Sequence, residues 1–554
     1  MSQTSKPVSL SFESAPRAQS GQRLLLMVML LSVFMAVANI FIVNVATPSI
    51  QHGLHASFSD VQFVITGYTL AYAVALIIGG RLGDRFGRKK MLQIGVAGFT
   101  LASFLCGLST SVEMLTIARV LQGLSAALFS PQVLSLIQAN YPPEKRGMIF
   151  GLYGASQGLA ASTGQIIGGW LLQINLWGLD WKWVFFFCVP IGILILIMVP
   201  FIHESKSSGN ASLDWLGAAL ITIGLLMLVY PLVQGQKEGW PLTLIICLLL
   251  SFPVLALFIW MEKRIQLRQR VPLMNVALFG QQVFSLGMLI VFLLMSSQAA
   301  FFLVAAYLLQ IGLGFSALKA GLVILPMGIG YFLASLLSAR VAGRFGAHVL
   351  TIGSVLTIGG YFLLAFSVQW TGTSPDILAW LPALAVLGTG QGFLAAPLTT
   401  IILSKIPRED IGSASGILTT GMQVSFAIGI SIIGMVWLGS LGHHAAKASL
   451  AVVQQLGDNV SDYQLSVEHT HGVLQTLQNC YPTMARSGNL ATVSSECRMD
   501  AASAEAKRLF DDGIHQANTR NYTDSFVFVL FVLAGYTAFL LPSVLILAKK
   551  TSHR

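Results

Sequence analysis

Long apolar runs broken by short polar stretches divide the chain into fourteen segments. They lie at residues 24–46, 61–80, 91–109, 114–137, 147–174, 182–202, 213–234, 241–261, 281–310, 319–340, 347–367, 377–403, 411–440 and 525–548. Most approach or exceed the ~20 residues that a helix needs to cross a bilayer. The pattern therefore predicts an all-α polytopic membrane protein with 14 transmembrane helices and both termini on one side. The first run starts near Leu24 behind a polar, basic tail and is long enough to span, so it is expected to be the first helix and not a cleaved leader.

Composition agrees: 55% of the 554 residues are hydrophobic and only 10% are charged, with a mean hydropathy of +0.74. A net charge of +10 in a soluble protein would point to nucleic acid, but here the bases fall in short turns between apolar runs. The tail, the even-numbered connections and the C-terminus carry 22 of the 32 basic residues. The short connections on the other side carry only Lys182, Lys237 and Lys319. Such asymmetry predicts that both termini are cytoplasmic.

One connection differs from the rest. Residues 441–524 are polar, slightly acidic and too long for a turn, and residues 501–514 have the spacing of an amphipathic helix. Cys480 and Cys497 lie in it, the two of five cysteines outside membrane runs. An oxidising compartment would join them, and the alternative is two unrelated thiols.

The turn at residues 79–90 concentrates charge, with Arg81, Arg85, Arg88, Lys89 and Lys90 around the single carboxylate Asp84. It is echoed later in the chain, where residues 81–87 align with 340–346 and Gly343 stands in place of Asp84. Residues 141–151 are likewise echoed by 406–416, and Gln122-Gly123 by Gln391-Gly392. Gly164 and Gly169 match Gly429 and Gly434. Repeats of this kind imply two six-helix halves. The expected organisation is a tail at 1–23, a six-helix bundle at 24–203, two inserted helices with linkers at 204–275, a second bundle at 276–548 containing the long outer loop, and a tail at 549–554.

These residues resemble the major facilitator superfamily, and within it the fourteen-helix drug/proton antiporter branch of the EmrB/QacA kind. The resemblance covers essentially the whole chain except the long loop. Gly80-Arg81-Leu82-Gly83-Asp84-Arg85-Phe86-Gly87-Arg88-Lys89 resembles the family signature between helices 2 and 3. Arg119 with Gln122 and Gly123 resembles its fourth-helix motif. Gly164-Gln165-Ile166-Ile167-Gly168-Gly169 resembles the antiporter motif of helix 5, with Gln165 where the family usually has proline. The resemblance implies a major facilitator fold in a bacterial cytoplasmic (inner) membrane, with export of amphiphilic small molecules by alternating access and coupling to protons. Gly80, Gly83, Asp84, Arg85, Gly87 and Arg88 would form the gating motif, and Gly164, Gly168 and Gly169 would pack helices closely.

In helix 1, Asn39 falls where the branch commonly carries a membrane-embedded aspartate. Asp60, Glu113, Asp214 and Asp376 sit at expected helix ends, and Arg119 is the one charge expected within a span. A buried carboxylate is the usual means of holding a cationic drug, so its absence favours neutral or anionic amphiphiles. Candidate cavity residues are Asn39, Asn44, Tyr68, Gln157, Gln165, Gln298, Tyr307, Gln391 and Gln423, each equally suited to an interhelical hydrogen bond. Arg119 keeps its charge at any physiological pH, so it would bind an anion or tune a neighbour. Glu113, six residues earlier, is the candidate titrating neighbour for coupling.

Other classes fare less well. His55 and Asp60 have the spacing of one acyltransferase signature, but nothing around them looks like a nucleotide or acyl-carrier site, so no enzyme activity is expected. No phosphate-binding Gly-x4-Gly-Lys-Ser/Thr loop occurs in the sequence, and neither a cofactor nor a metal is expected. His443 and His444 could titrate near neutral pH. The expected partners are an amphiphilic substrate and the lipid bilayer, with no nucleic acid. The outer loop could dock a periplasmic adaptor of a tripartite pump or serve as a lid for lipid-like substrates, and a lipid or fatty-acid translocator is the runner-up within the transporter class.

The end of the twelfth connection supplies a partner for Asp84. Ile411, Gly412 and Ser413 open helix 13 with unpaired amides at the positive end of its dipole. Asp84 is expected to latch onto them while the cavity faces outward, and to release when it opens inward.

Overall fold

The computed structural model describes residues 16–174, 176–202, 204, 214–268, 272–372, 376–404, 406, 411–457, 467–487, 497 and 503–552, and within these the secondary structure is helical throughout. The first part of the chain comprises α1 (Pro16–Gly53), α2 (Phe58–Phe86), α3 (Arg88–Gly107), α4 (Val112–Asn140), α5 (Pro143–Ile174), the short α6 (Trp183–Phe186) and α7 (Cys188–Met198). α8 (Trp215–Glu238) and α9 (Leu242–Leu267) pair with each other. The remainder comprises α10 (Gln282–Tyr307), α11 (Ala317–Phe345), α12 (His348–Thr371), α13 (Ile377–Ser404), α14 (Ile411–Gly457), α15 (Val467–Ser487), α16 (Ala504–Ala538) and α17 (Leu540–Ser552). Among the described residues twelve helices are long and apolar enough to cross a membrane. The other two expected spans fall on α2 and α5, helices of 29 and 32 residues.

Packing sorts the helices into two bundles. α2 packs on α4, α3 on α4 and α7, and α1 on α5; in the second set α11 and α12 pack on α13, α10 on α14, and α12 on α16. Two long seams join the bundles, α5 against α11 and α2 against α14, while α8 lies outside against α2 and α14. The bundle has two ends. We call the one where α2 gives way to α3 the signature end, and the one where α1 gives way to α2 the subdomain end.

The long connection is not a loop. Residues 441–457 continue α14 and residues 504–524 open α16, because the helical spacing of apolar positions persists where mean hydropathy falls. Ala445, Ala448, Val452 and Leu456 of α14 pack with Val473, Leu474, Leu477 and Tyr481 of α15 and Ala506, Leu509 and Phe510 of α16 in a separate small core. The Tyr481 hydroxyl donates to Asn518 Oδ1 at 3.0 Å and accepts from Asn521 Nδ2 at 3.2 Å, and the same Nδ2 donates to the Leu441 carbonyl at 3.1 Å. Burial raises the Tyr481 hydroxyl above the ordinary phenol range, so it bonds as a neutral group. Cys480 and Cys497 are joined in a disulfide, with Cα atoms 5.8 Å apart.

Candidate functional site

Arg119 stands about two turns into α4 and is 1% exposed. Its Nε donates to the Val64 carbonyl of α2 at 3.1 Å, and its Nη1 donates to Asn39 Oδ1 of α1 at 2.6 Å and to Gln122 Oε1 at 2.5 Å. The guanidinium lies over the Tyr68 ring, 4.2 Å from its centroid. Gln122 Nε2 passes the network to Ser103 Oγ of α3 at 2.7 Å, and Asn39 Nδ2 reaches Cys188 Sγ of α7 at 3.7 Å. Neutral acceptors and an aromatic face thus hold the guanidinium without cancelling its charge. Among the described residues no carboxylate bonds Arg119, so the cluster keeps a positive field inside the first bundle. A fixed guanidinium cannot release its proton; this arrangement can hold an anion or lower the proton affinity of groups nearby.

The second bundle repeats the arrangement without the charge. Gln298 Nε2 of α10 donates to Gln391 Oε1 of α13 at 3.0 Å, and Gln391 Nε2 reaches the Tyr361 hydroxyl at 3.5 Å, which donates to the Ser297 carbonyl at 3.3 Å. In the register that matches Gln122 to Gln391, Arg119 falls on Gly388. A side chain there would run into the Met327 backbone, and Met327 falls on Tyr68 in the register of the signature echo.

At the subdomain end the two bundles are in contact. Gln62 Nε2 of α2 donates to the Ile430 carbonyl of α14 at 3.1 Å. The Tyr307 hydroxyl donates to Gln51 Oε1 at 2.7 Å, and Gln310 Nε2 donates to the Val45 carbonyl at 2.8 Å. Phe41 meets Phe302 edge to face, with centroids 5.1 Å apart. The glycines of α5 divide between two surfaces. Gly164 and Gly168 lie against Phe41 and Ile42 of α1, within one bundle, whereas Gly169 lies against the backbone of Ala317 and Leu318 of α11, across the seam.

At the signature end, Gly79 and Gly83 leave no room for a side chain against Ala127 and Gln132 of α4, and Gly80 lies near Pro131. Gln132 Nε2 donates to the Gly79 carbonyl at 2.8 Å. Gly87 breaks α2 from α3 with φ +107°, a conformation open to glycine. The Glu204 carboxylate then accepts from the amides of Lys89 and Lys90 at 2.9 and 3.2 Å, capping α3 at the positive end of its dipole. Arg88 Nη1 donates to the Ser135 carbonyl at 3.3 Å and Lys89 Nζ to the Pro200 carbonyl at 2.7 Å. These two bases therefore brace the start of α3 in addition to any role in topology. Arg81 bonds the carbonyls of Pro272 and Leu273 in the segment before α10, and Arg85 is exposed beside Phe86. The Asp84 side chain and those of residues 411–413 lie outside the described residues, and with them the expected latch.

Comparison with known proteins decides the family, since the description "Major Facilitator Superfamily" matches residues 29–430. The chain belongs to the Major Facilitator Superfamily. It is 32% identical over 502 residues to a probable actinorhodin transporter of Streptomyces coelicolor, covering 90% of this chain and 86% of that one. It is 33% identical over 425 residues to the tetracenomycin C resistance and export protein of Streptomyces glaucescens, covering 75% and 76%. In fold it is similar to a bacterial homolog of the human lysosomal transporter Spinster, solved inward-facing and occupied, with a TM-score of 0.57 at 16% identity over 94% of this chain and 97% of that one.

The nine candidate cavity residues of this superfamily member do not converge on one space. Asn39 and Tyr68 belong to the Arg119 cluster, Gln298 and Gln391 to its neutral counterpart, and Tyr307 to the contact at the subdomain end. Gln165 is buried in α5 where its backbone meets Gly321 of α11. Gln157 is half-buried and bonds the Tyr153 hydroxyl at 3.3 Å. The physical reason is that an amide out of water is satisfied most readily by another amide or hydroxyl on a facing helix. Three candidates depart from this: Asn44 is 2% exposed with neither amide atom bonded to a described group, and the Tyr68 hydroxyl and Gln423 Oε1 are also buried without such a partner.

Glu113 is exposed in the first turn of α4. Six residues place it about 9 Å along and about 120° around the helix from Arg119, so the structure does not bring the two together. The Asp60 carboxylate takes part in a capping box, accepting from the Ser57 amide at 2.9 Å and from its hydroxyl at 2.6 Å. His444 bonds back to Ser440 within α14. Sequence reasoning missed Ser103 and Cys188 beside the Arg119 cluster, Gln51 and Gln62 in the seam, and Glu262, fully enclosed in α9. Glu262 follows directly on the run ending at 261, beside Lys263 and Arg264. A lone acid among bases, as at Asp84, was the available signal.

Proposed function

We propose that this protein exports amphiphilic small molecules, neutral or anionic, across a bacterial cytoplasmic membrane by alternating access, in exchange for protons. Contact between the bundles at the subdomain end carries this reading: Gln62, Gln51, Tyr307, Gln310 and Gly169 close that end through single hydrogen bonds and glycine contacts. Such a seam can part and re-form without unfolding either bundle. The names of the two Streptomyces relatives support export, and the basic connections support a cytoplasmic signature end. The preference for neutral or anionic substrates follows from Arg119, a buried positive charge bonded, among the described residues, to neutral groups. Asn44 and the Tyr68 hydroxyl offer hydrogen bonds that no group among the described residues takes up.

Transport into proteoliposomes under an imposed pH gradient tests this, with neutral, anionic and permanently cationic fluorescent amphiphiles compared. Gradient-driven uptake of the first two is expected. Uptake of the cation alone, with Arg119 dispensable, would overturn the substrate assignment, and movement of fatty acids alone would favour a lipid translocator.

A further inference from the structure

Two carboxyl groups remote from the Arg119 cluster meet at the signature end of the inserted helices. Asp214 caps α8, its Oδ1 accepting from the Gly217 amide at 2.9 Å, and Glu262 of α9 is fully enclosed. Asp214 Oδ2 and Glu262 Oε1 are both buried and bond no donor among the described residues. Each lies under 3.0 Å from the point where a Gly217 side chain would begin, so the two oxygens face each other over that glycine. Two carboxylates held this way repel; a single shared proton makes one oxygen a donor to the other and removes one charge.

The pair is connected to Arg81, in the signature stretch where α2 gives way to α3. Glu262 Oε2 accepts from the Met274 amide at 2.9 Å, and the carbonyls of Pro272 and Leu273 accept from Arg81. The segment 272–274, which leads into α10 and the second bundle, is thereby held between Glu262 and Arg81. Ala218, Phe258 and Leu273 pack together there, with Ile78 of α2 beside them. Among the described groups, α2 contributes Arg81 to this corner, α8 contributes Asp214, and residues 272–280 contribute no charge. On α9, Lys263 is exposed and Arg264 stacks on Trp260.

We propose that Asp214 and Glu262 together form a proton-binding site that takes one proton per pair and controls the hold of segment 272–274 on Arg81. With the proton bound, the pair carries one negative charge opposite the Arg81 guanidinium. When the proton leaves to the aqueous phase at the signature end, the second negative charge draws Arg81 away from the two carbonyls and loosens the link between α2 and the second bundle. The coupling rests on the export function proposed above, whereas the proton site itself does not.

Infrared difference spectroscopy of the reconstituted full chain, titrated from about pH 5 to about pH 9, reads the site directly. A protonated carboxyl C=O band should disappear as pH rises, be absent from Glu262→Gln, and be absent or displaced in Asp214→Asn, both isosteric changes. In the proteoliposome assay, the ratio of uptake with and without a pH gradient should fall at least tenfold in Glu262→Gln. A band missing from the wild type, or unchanged in both variants, would overturn the site. A gradient response that survives loss of the band would overturn its coupling role. If the wild type moves no amphiphile at all, export itself fails, and the infrared titration still decides whether the pair binds a proton.

Discussion

Gly169 offers the sharpest test of the seam. A Cβ at this position would lie 2.6 Å from Ala317 O, 2.6 Å from Leu318 Cα and 2.7 Å from Leu318 N, against 3.4–4 Å for ordinary contact. All three are backbone atoms and cannot rotate aside, so α5 and α11 must separate by roughly 0.8 Å or the closed arrangement must be abandoned. Overpacking of this kind costs about 1–3 kcal/mol. The cost vanishes when the bundles part at the subdomain end, so Gly169→Ala should shift the equilibrium toward that state by a factor of ~5 to ~150. Gly164→Ala is the control, because its Cβ would meet Phe41 Cβ at 3.0 Å and Ala38 O at 3.3 Å on α1, within the same bundle. That strain persists in both states and should lower thermal stability without moving the equilibrium. Spin labels at Trp177 and Lys319, exposed on the two sides of the seam, report the distance by double electron–electron resonance. The longer-distance population should grow at least ~5-fold in Gly169→Ala and stay constant in Gly164→Ala. Identical distributions in both variants would refute the division of the glycines between packing and gating.

Further expectations concern the cluster, the latch and the disulfide. Arg119→Lys keeps the charge but cannot span Val64, Asn39 and Gln122 at once, and each acceptor left unpaired costs about 1–3 kcal/mol; uptake should fall and thermal unfolding should move lower, while no change in either would argue against the cluster. Asp84→Asn should reduce transport with expression intact, since a carboxylate at a helix N-terminus contributes on the order of 1–2 kcal/mol that an amide largely lacks; normal transport would remove the latch. Cys480→Ser opens a bridge between residues 17 apart, which should destabilise the small helical subdomain by about 3 kcal/mol. Hydrogen exchange across Val467–Ser487 should accelerate, and unchanged protection would show that its apolar core suffices.

Periodicity made the helices legible, because apolar runs of membrane length have few other conformations open to them. Within residues 441–524 the same cue marked the amphipathic start of α16 but missed the continuation of α14, where hydropathy falls while Ala445, Ala448, Val452 and Leu456 keep the spacing of one helix face. Arg119 stood out as a charge inside an apolar run. Its surroundings did not, because Val64 and Asn39 reach it, and Ser103 and Cys188 join through Gln122 and Asn39, from helices whose rotation about their axes the sequence leaves open. The glycines of α5 show the same limit: adjacent residues Gly168 and Gly169 face different bundles. Glu262 was obscured for another reason, since it borders Lys263 and Arg264 in a stretch whose charges have a sufficient explanation in topology.

Alternating access itself is tested most directly by two donor–acceptor dye pairs on single reconstituted molecules during transport. One pair spans the subdomain end at Trp177 and Lys319, and the other the signature end at Lys90 and Arg344, all four exposed. The account predicts opposite changes, the first distance lengthening as the second shortens, with substrate and pH shifting the balance between the two states. Transport that proceeds while both distances stay fixed, or while both change in the same direction, would contradict it.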